Sequence, residues 1–292
     1  MGVQVEEVMV AAIRGFLEPP DRDAEVEVLD RGFGNLAIRF GSSVARVAGT
    51  LETARSHVRE SLVLPVLDGR LPVAVPAPAR SIPAGPGLPF GALLHPFLPG
   101  RVMAPGDAVE RPELAVEIAA CLATLHALPP EQFPKDAVLP LEPLSELTRL
   151  DAQTRDLLRR RSTPAERTSL DRLIELARRA LPGRERVVCH GDPWFGNMLI
   201  SRGGRLSALL DFEAVCIADP TFDLAAQTYL DPPSAERTID AYVEHTHPLD
   251  AMTDRVRGYL LIRELSGLAY GVRNGMADEI EHALADLVGV LG

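Results

Sequence analysis

A chain of 292 residues with 46% apolar and 24% charged side chains reads as an ordinary globular protein, long enough for one or two lobes around a substantial core. Its formal charge of −11 argues against a nucleic-acid binder, which needs a basic footprint, and no apolar run approaches the ~18 residues of a membrane helix. Glu6 and Glu7 stand where a secretory signal would carry cations, and Cys121, Cys189 and Cys216 are too few and scattered for a disulfide framework or zinc site, so a reduced, cytoplasmic setting is expected.

Residues 3–17 place Val5, Met9, Ala12 or Ile13, and Phe16 on one face of a helix that Pro19-Pro20 ends. Three strands are predicted next: 25–30, alternating through Val26 and Val28; 36–40, alternating through Leu36, Ile38 and Phe40; and 44–48, after a Gly41-Ser42-Ser43 turn. The first two are joined by Arg31-Gly32-Phe33-Gly34-Asn35. Gly32 and Gly34 suit an ordinary hairpin turn, and equally a loop whose N–H groups must approach phosphates without a Cβ in the way. The Gly-Lys-Ser/Thr ending of a P-loop is absent. A helix is predicted over 50–64, stopped by Pro65, followed by a Pro- and Gly-rich stretch in which 71–76 reads as an extended edge.

Residues 91–100 read as a strand and hinge. An amphipathic helix spans 113–128 with Leu114, Ile118, Leu122 and Leu125 at helical spacing, and two further helices are predicted at about 141–160 and 164–181. After Ala225 the pattern is helical to the end, with turns at Asp231-Pro232-Pro233 and His247-Pro248.

The most specific stretch lies between these helices. Val187-Val188-Cys189 and Met198-Leu199-Ile200 read as short strands flanking the polar loop His190-Gly191-Asp192-Pro193-Trp194-Phe195-Gly196-Asn197, and 207–210 as a third strand ending at Asp211-Phe212-Glu213. His-Gly-Asp alone would recur by chance. An Asn five residues after that Asp, and Asp-Phe-Glu fourteen after the Asn, make coincidence a poor account. A carboxylate to accept a hydroxyl proton, with an amide oxygen and a second carboxylate to hold magnesium against phosphates, is the set that phosphoryl transfer requires.

With Ala218-Asp219-Pro220 and Phe222-Asp223-Leu224-Ala225 following, the sequence resembles the aminoglycoside phosphotransferase family, a small-molecule branch of the protein-kinase-like fold. The resemblance spans about residues 25–270 and is specific over 187–225. It implies an α+β, two-lobed architecture: a small antiparallel-sheet lobe over residues 1–97 that binds nucleotide, and a larger, mostly helical catalytic lobe over 98–292. Asp192 takes the role of catalytic base, and Asn197 and Asp211 those of the Mg²⁺ ligands. Glu213 has a lesser role beside the metal, and Asp223 a structural one, bonding the loop backbone. Gly32 and Gly34 become the phosphate-covering loop. Arg46, on the third strand, becomes the cation for the α- and β-phosphates where most kinases carry Lys; the chain's single lysine is Lys135. Arg keeps its charge and grips phosphate with two N–H groups, so the exchange is compatible with activity. Glu60, rather than Glu52, is the carboxylate that positions it. Leu94 and Phe97 bracket the hinge that meets the purine.

ATP or GTP is the implied donor. The acceptor is a small-molecule hydroxyl compound, an antibiotic or a metabolic amino alcohol or sugar, with no nucleic acid or membrane partner and a monomer or dimer as the working unit. Residues 1–100 hold nine basic and eleven acidic residues, and the remaining 192 hold 21 and 30. The excess acid of the second part suits a cationic acceptor, and equally serves solubility. A nucleotide-binding pseudokinase remains an alternative, as does a metallohydrolase using His190, Asp192 and Asp211, although the further His and Asp ligands of a two-metal site are missing.

Overall fold

The computed structural model of the chain describes residues 6–30, 35–148, 150 and 152–291. In chain order the elements are α1 (Glu7–Arg14), β1 (Val26–Asp30), β2 (Asn35–Phe40), β3 (Ser43–Ala48), α2 (Leu51–Leu67), β4 (Arg80–Ile82), β5 (Ala92–Pro96), β6 (Arg101–Val102), α3 (Pro105–Glu110), α4 (Glu113–His126), β7 (Leu139–Pro140), α5 (Pro143–Thr148), α6 (Ala152–Arg161) and α7 (Pro164–Ala180). Then follow β8 (Val187–Cys189), β9 (Met198–Ile200), β10 (Leu206–Leu209), β11 (Cys216–Ala218), α8 (Thr221–Ala225), α9 (Pro232–His245), α10 (Met252–Asn274) and α11 (Ala277–Leu291).

The first half builds a five-stranded sheet in the order β1-β2-β3-β5-β4, with every pairing antiparallel. The two-residue period of β2 buries Leu36, Ile38 and Phe40 against Met9, Ile13 and Leu17 of the N-terminal segment. Here α1 is shorter than predicted. It stops at Arg14, so Leu17 turns inward and Phe16 stays exposed, while Val5 lies outside the described residues.

Thr50 caps α2 by accepting the Thr53 N–H at 3.1 Å. The expected stop at Pro65 does not occur, and the helix runs on to Leu67. Pro65 costs roughly 3 kcal/mol by removing one backbone bond. The buried side chains of Val63, Leu64 and Leu67 each return about 1.5–3 kcal/mol, so burial wins. The predicted edge at 71–76 is also corrected. The edge strand is β4, and the Pro72–Pro76 stretch instead crosses towards the C-terminal half, where Ala74 N donates to Ser207 O and Leu209 N to Ala74 O, both at 3.0 Å.

The second half is mainly helical around a larger core, in which Leu114, Ile118, Leu122 and Leu125 of α4 meet Val188, Met198, Phe212 and Tyr259. Two three-stranded sheets, β10-β9-β6 and β7-β11-β8, carry the loops of interest. The helix predicted over 141–160 is two, α5 and α6, with Leu150 buried between them. The Asp231-Pro232-Pro233 turn is the start of α9: Asp231 accepts the Ser234 N–H at 3.1 Å, and the prolines occupy the first turn, where no N–H is needed. The α+β expectation, a small antiparallel sheet followed by a larger helical body, is met. No helix among the described residues is long and apolar enough to cross a membrane.

Candidate active site

The loop after β8 is held by buried polar groups. Asp223, in the first turn of α8 and fully buried, accepts the N–H groups of His190 at 2.7 Å and Gly191 at 2.9 Å. Its Oδ2 also lies 3.0 Å from His126 Nε2, and His126 Nδ1 is 2.8 Å from the Tyr242 hydroxyl. Burial alone would raise the Asp223 pKa; the hydrogen bond from His126 and those from the backbone hold it below 3.8. Gly191 has φ +90°, and a Cβ there would meet Ala214 O at 2.1 Å, so no other residue fits. Gln227 Nε2 donates to Pro193 O at 2.7 Å and secures the far side of the loop.

His190 braces this loop. The Asp192 N–H donates to its Nδ1 at 3.2 Å, which makes Nε2 the protonated nitrogen that donates to Leu210 O at 2.9 Å. Burial pushes the His190 pKa below 6.5. The unfolded chain therefore takes up a proton that the folded ring refuses, and stability falls as pH drops through 6.5. Urea midpoints measured on either side of that pH should show a smaller decline in His190→Asn than in the wild type; an equal decline removes His190 as its source.

Asp192 presents a carboxylate whose side chain is 38% exposed. Asn197 Nδ2 donates both to Asp192 Oδ2 at 3.1 Å and to Asp192 O at 2.9 Å, which leaves Asn197 Oδ1 as the free end of the amide to accept a ligand. Leu210 N donates to Asn197 O at 2.8 Å, so the Asn is tied to the residue immediately before Asp211.

Asp211 sits at φ 63°, ψ 71°, a left-handed conformation that Asp tolerates better than most residues. Its Oδ1 is 3.0 Å from Arg46 NH2. Arg46 NH1 meets Glu60 Oε2 at 2.7 Å, and Arg46 NH2 also contacts Glu213 Oε1. Glu60 Oε1 accepts the Phe212 N–H at 3.1 Å. The strand cation and helix carboxylate expected to pair do so, and the same guanidinium reaches the Asp211 and Glu213 carboxylates. Asn35 Nδ2 donates to Glu213 Oε1 at 2.7 Å, and His57 Nε2 lies 3.2 Å from that oxygen.

Three carboxylates around one guanidinium leave this cluster net negative. Burial and the neighbouring Asp211 and Glu213 push Glu60 upward against the pull of Arg46. Burial would also raise Glu213, but His57 and Arg46 hold it below 4.5. Arg46 is raised further, because the three acids outweigh its desolvation. Oxygen atoms of Glu60, Asp211 and Glu213 lie within 4.8 Å of one another. Arg46 and the Phe212 N–H engage the Glu60 oxygens, whereas the free Asn197 Oδ1 and the part-exposed Asp211 carboxylate make an oxygen-only pair of the kind a hard divalent cation takes, so these residues fit magnesium.

The other predicted residues are placed as follows. Gly32 and Gly34 lie outside the described residues. Leu94 is buried inside the sheet with Ala45 and Arg80 as register partners. Phe97 follows β5, its N–H donating to Ser42 O at 2.7 Å and its ring covered by the Arg39 guanidinium 3.8 Å from the centroid. Sequence reasoning missed Arg263, Gln227, Asn35 and His57. Nothing local marks any of the four: α10 also buries Arg255 and Glu264, so it has no purely apolar face for Arg263 to interrupt.

A small antiparallel sheet joined to a larger helical body is the protein-kinase-like architecture. The profile of the phosphotransferase enzyme family matches residues 25–259, and the chain belongs to that family of enzymes, which phosphorylate small molecules. No curated protein matches the chain by sequence. Among solved structures, the GDP complex of wild-type aminoglycoside 2′-phosphotransferase-IIIa is similar with TM-score 0.83 at 20% identity, over 98% of this chain and 99% of that one. The apoenzyme of macrolide 2′-phosphotransferase MphH from Brachybacterium faecium gives 0.66 at 20% identity, over 90% and 91%. A choline/ethanolamine kinase family protein from Mesorhizobium loti gives 0.66 at 21% identity, over 97% and 93%.

Proposed function

We propose that this chain transfers the γ-phosphate of ATP or GTP to a hydroxyl of a small molecule. The observation that carries the reading is the exposed Asp192 carboxylate braced by Asn197, whose backbone is bonded to the residue preceding Asp211. Asp192 accepts the proton of the attacking hydroxyl, and its pairing with Asn197 keeps one oxygen fixed while the carboxylate faces the acceptor. Asn197 and Asp211 would hold Mg²⁺, with Glu213 beside them, and the charge on the phosphate oxygens would be neutralised there when it is bound. Arg46 grips the α- and β-phosphates, oriented by Glu60.

The favoured acceptor is an aminoglycoside or another hydroxylated antibiotic, which would make the enzyme a resistance kinase. The similarity to aminoglycoside and macrolide phosphotransferases supports this. An amino alcohol is the second reading, supported by the choline/ethanolamine kinase family protein that matches across 97% of the chain. The acid excess after residue 100 suits a cation in either case, and the three buried thiols suit a cytoplasmic setting.

The test is a panel of aminoglycosides, macrolides, amino alcohols and sugars offered with ATP and with GTP, reading nucleoside-diphosphate release and product mass. Acceptor-dependent release with a product heavier by one phosphoryl group is expected. Tight nucleotide binding without turnover on any acceptor would instead make the chain a pseudokinase.

A further inference from the structure

Helix α10 brings Arg263 against the loop that carries Asp192, 71 residues away in sequence. Arg263 NH2 lies 2.5 Å from Asp192 Oδ1, and NH1 donates to Gly191 O at 2.9 Å. The other carboxylate oxygen, Oδ2, is taken by Asn197 at 3.1 Å. Each oxygen of Asp192 thus has its own donor, one from within the loop and one from a distant helix. The Arg263 side chain is only 13% exposed, with the rings of Tyr229 and Phe222 centred 5.7 and 5.9 Å from its guanidinium carbon. Desolvation would weaken its charge, but Asp192 and Tyr229 more than offset this. It is not one of the solvated surface pairs whose net worth is close to zero.

We infer that Arg263 is a positioning residue that fixes the orientation of the Asp192 carboxylate for the attacking hydroxyl. The inference rests on the reading of Asp192 as the base. A carboxylate rotates easily about its last bond, where the torsional wells are broad. Asn197 alone holds one oxygen and leaves the plane free to swing about it. The Arg263 fork adds a second point on the carboxylate and a third on the Gly191 carbonyl, which fixes side-chain plane and backbone together. Arg263 touches neither acceptor nor nucleotide on this account. It acts through Asp192 alone, and that sets it apart from a strut that merely joins α10 to the loop.

Four variants test this with the acceptor and nucleotide that support turnover. Arg263→Met keeps the length of the stem, and should lower kcat by about 10²-fold, the scale of a misplacement of roughly 1 Å, with the nucleotide KM little changed. Arg263→Lys should recover part of the loss, because an ammonium reaches the carboxylate but cannot span it and the carbonyl. Arg263→Ala should regain turnover when guanidinium or methylguanidinium is supplied at millimolar concentration. The double variant Asp192→Asn with Arg263→Met should be no slower than Asp192→Asn alone, since a residue that works only through the base has nothing left to position.

Wild-type kcat in Arg263→Met overturns the inference. So does a lowered melting temperature in Arg263→Ala with no guanidinium rescue, or losses that multiply in the double variant. The single Asp192→Asn variant separates the two claims. If it loses turnover while Arg263→Met does not, only the positioning role falls; if it keeps turnover, the base assignment falls and the positioning role with it.

Discussion

Replacing Asp192 by Asn is expected to lower turnover by roughly 10²–10⁴-fold, the usual worth of a positioned proton acceptor, while nucleotide binding is retained. The two side chains have nearly the same shape, and the loop backbone stays held by Asp223 and Gln227. What changes is the chemistry of one atom: an amide nitrogen replaces a carboxylate oxygen and cannot take a proton from an alcohol. Its remaining oxygen can serve Asn197 or Arg263, but not both. Arg46, Glu60 and Asp211 hold each other without any bond to the Asp192 side chain, so a calorimetric Kd for ATP with Mg²⁺ should match the wild type. Single-turnover rates with the best acceptor provide the measurement, and an undiminished rate would take Asp192 out of the reaction.

The second large effect is expected at Asp211. Alanine there should abolish magnesium-dependent turnover, but it confounds two losses, because residue 211 has φ 63° and Ala tolerates a left-handed backbone less well than Asp. Asp211→Asn is the cleaner variant, since Asn also accepts that conformation and only the charge is removed. Turnover should fall at ordinary Mg²⁺ and its dependence should shift to higher concentration, while the melting curve stays close to wild type because Glu60 and Glu213 still satisfy Arg46. An unchanged magnesium titration in a well-folded Asp211→Asn would count against the metal role.

The parts of this site legible in the sequence were those written in short spacing. Asp192, Asn197 and Asp211 lie within twenty residues, on two strand ends and one loop, and the chain had little freedom to place them anywhere but together. Arg46 and Glu60 followed from the family resemblance, which asks for a cation on the third strand and a carboxylate on the helix after it. Both are long-range statements that the antiparallel sheet makes local, since β3 is central and α2 comes straight after it. Burial outweighed local propensity at Pro65, and the chain's crossing at Ala74 could not be read from an alternating apolar pattern. Arg263 was illegible for another reason: α10 also buries Arg255 and Glu264, so its charges carry no simple inside-outside code. Arg255 meets Asp219 at 2.8 Å, and such partners emerge only once the helix is docked.

The extension of α2 past Pro65 reaches further than the length of a helix. Its last turns, Val63, Leu64 and Leu67, are set among the side chains of the large core, while Glu60, one turn earlier, orients Arg46 and receives the Phe212 amide. In a kinase switched by a swinging helix, this carboxylate would travel out of reach and return on command. Here it is rooted in the catalytic half, and moving it would mean pulling aliphatic residues into water. Packed in this way, α2 keeps Glu60 beside Arg46 without any activating event.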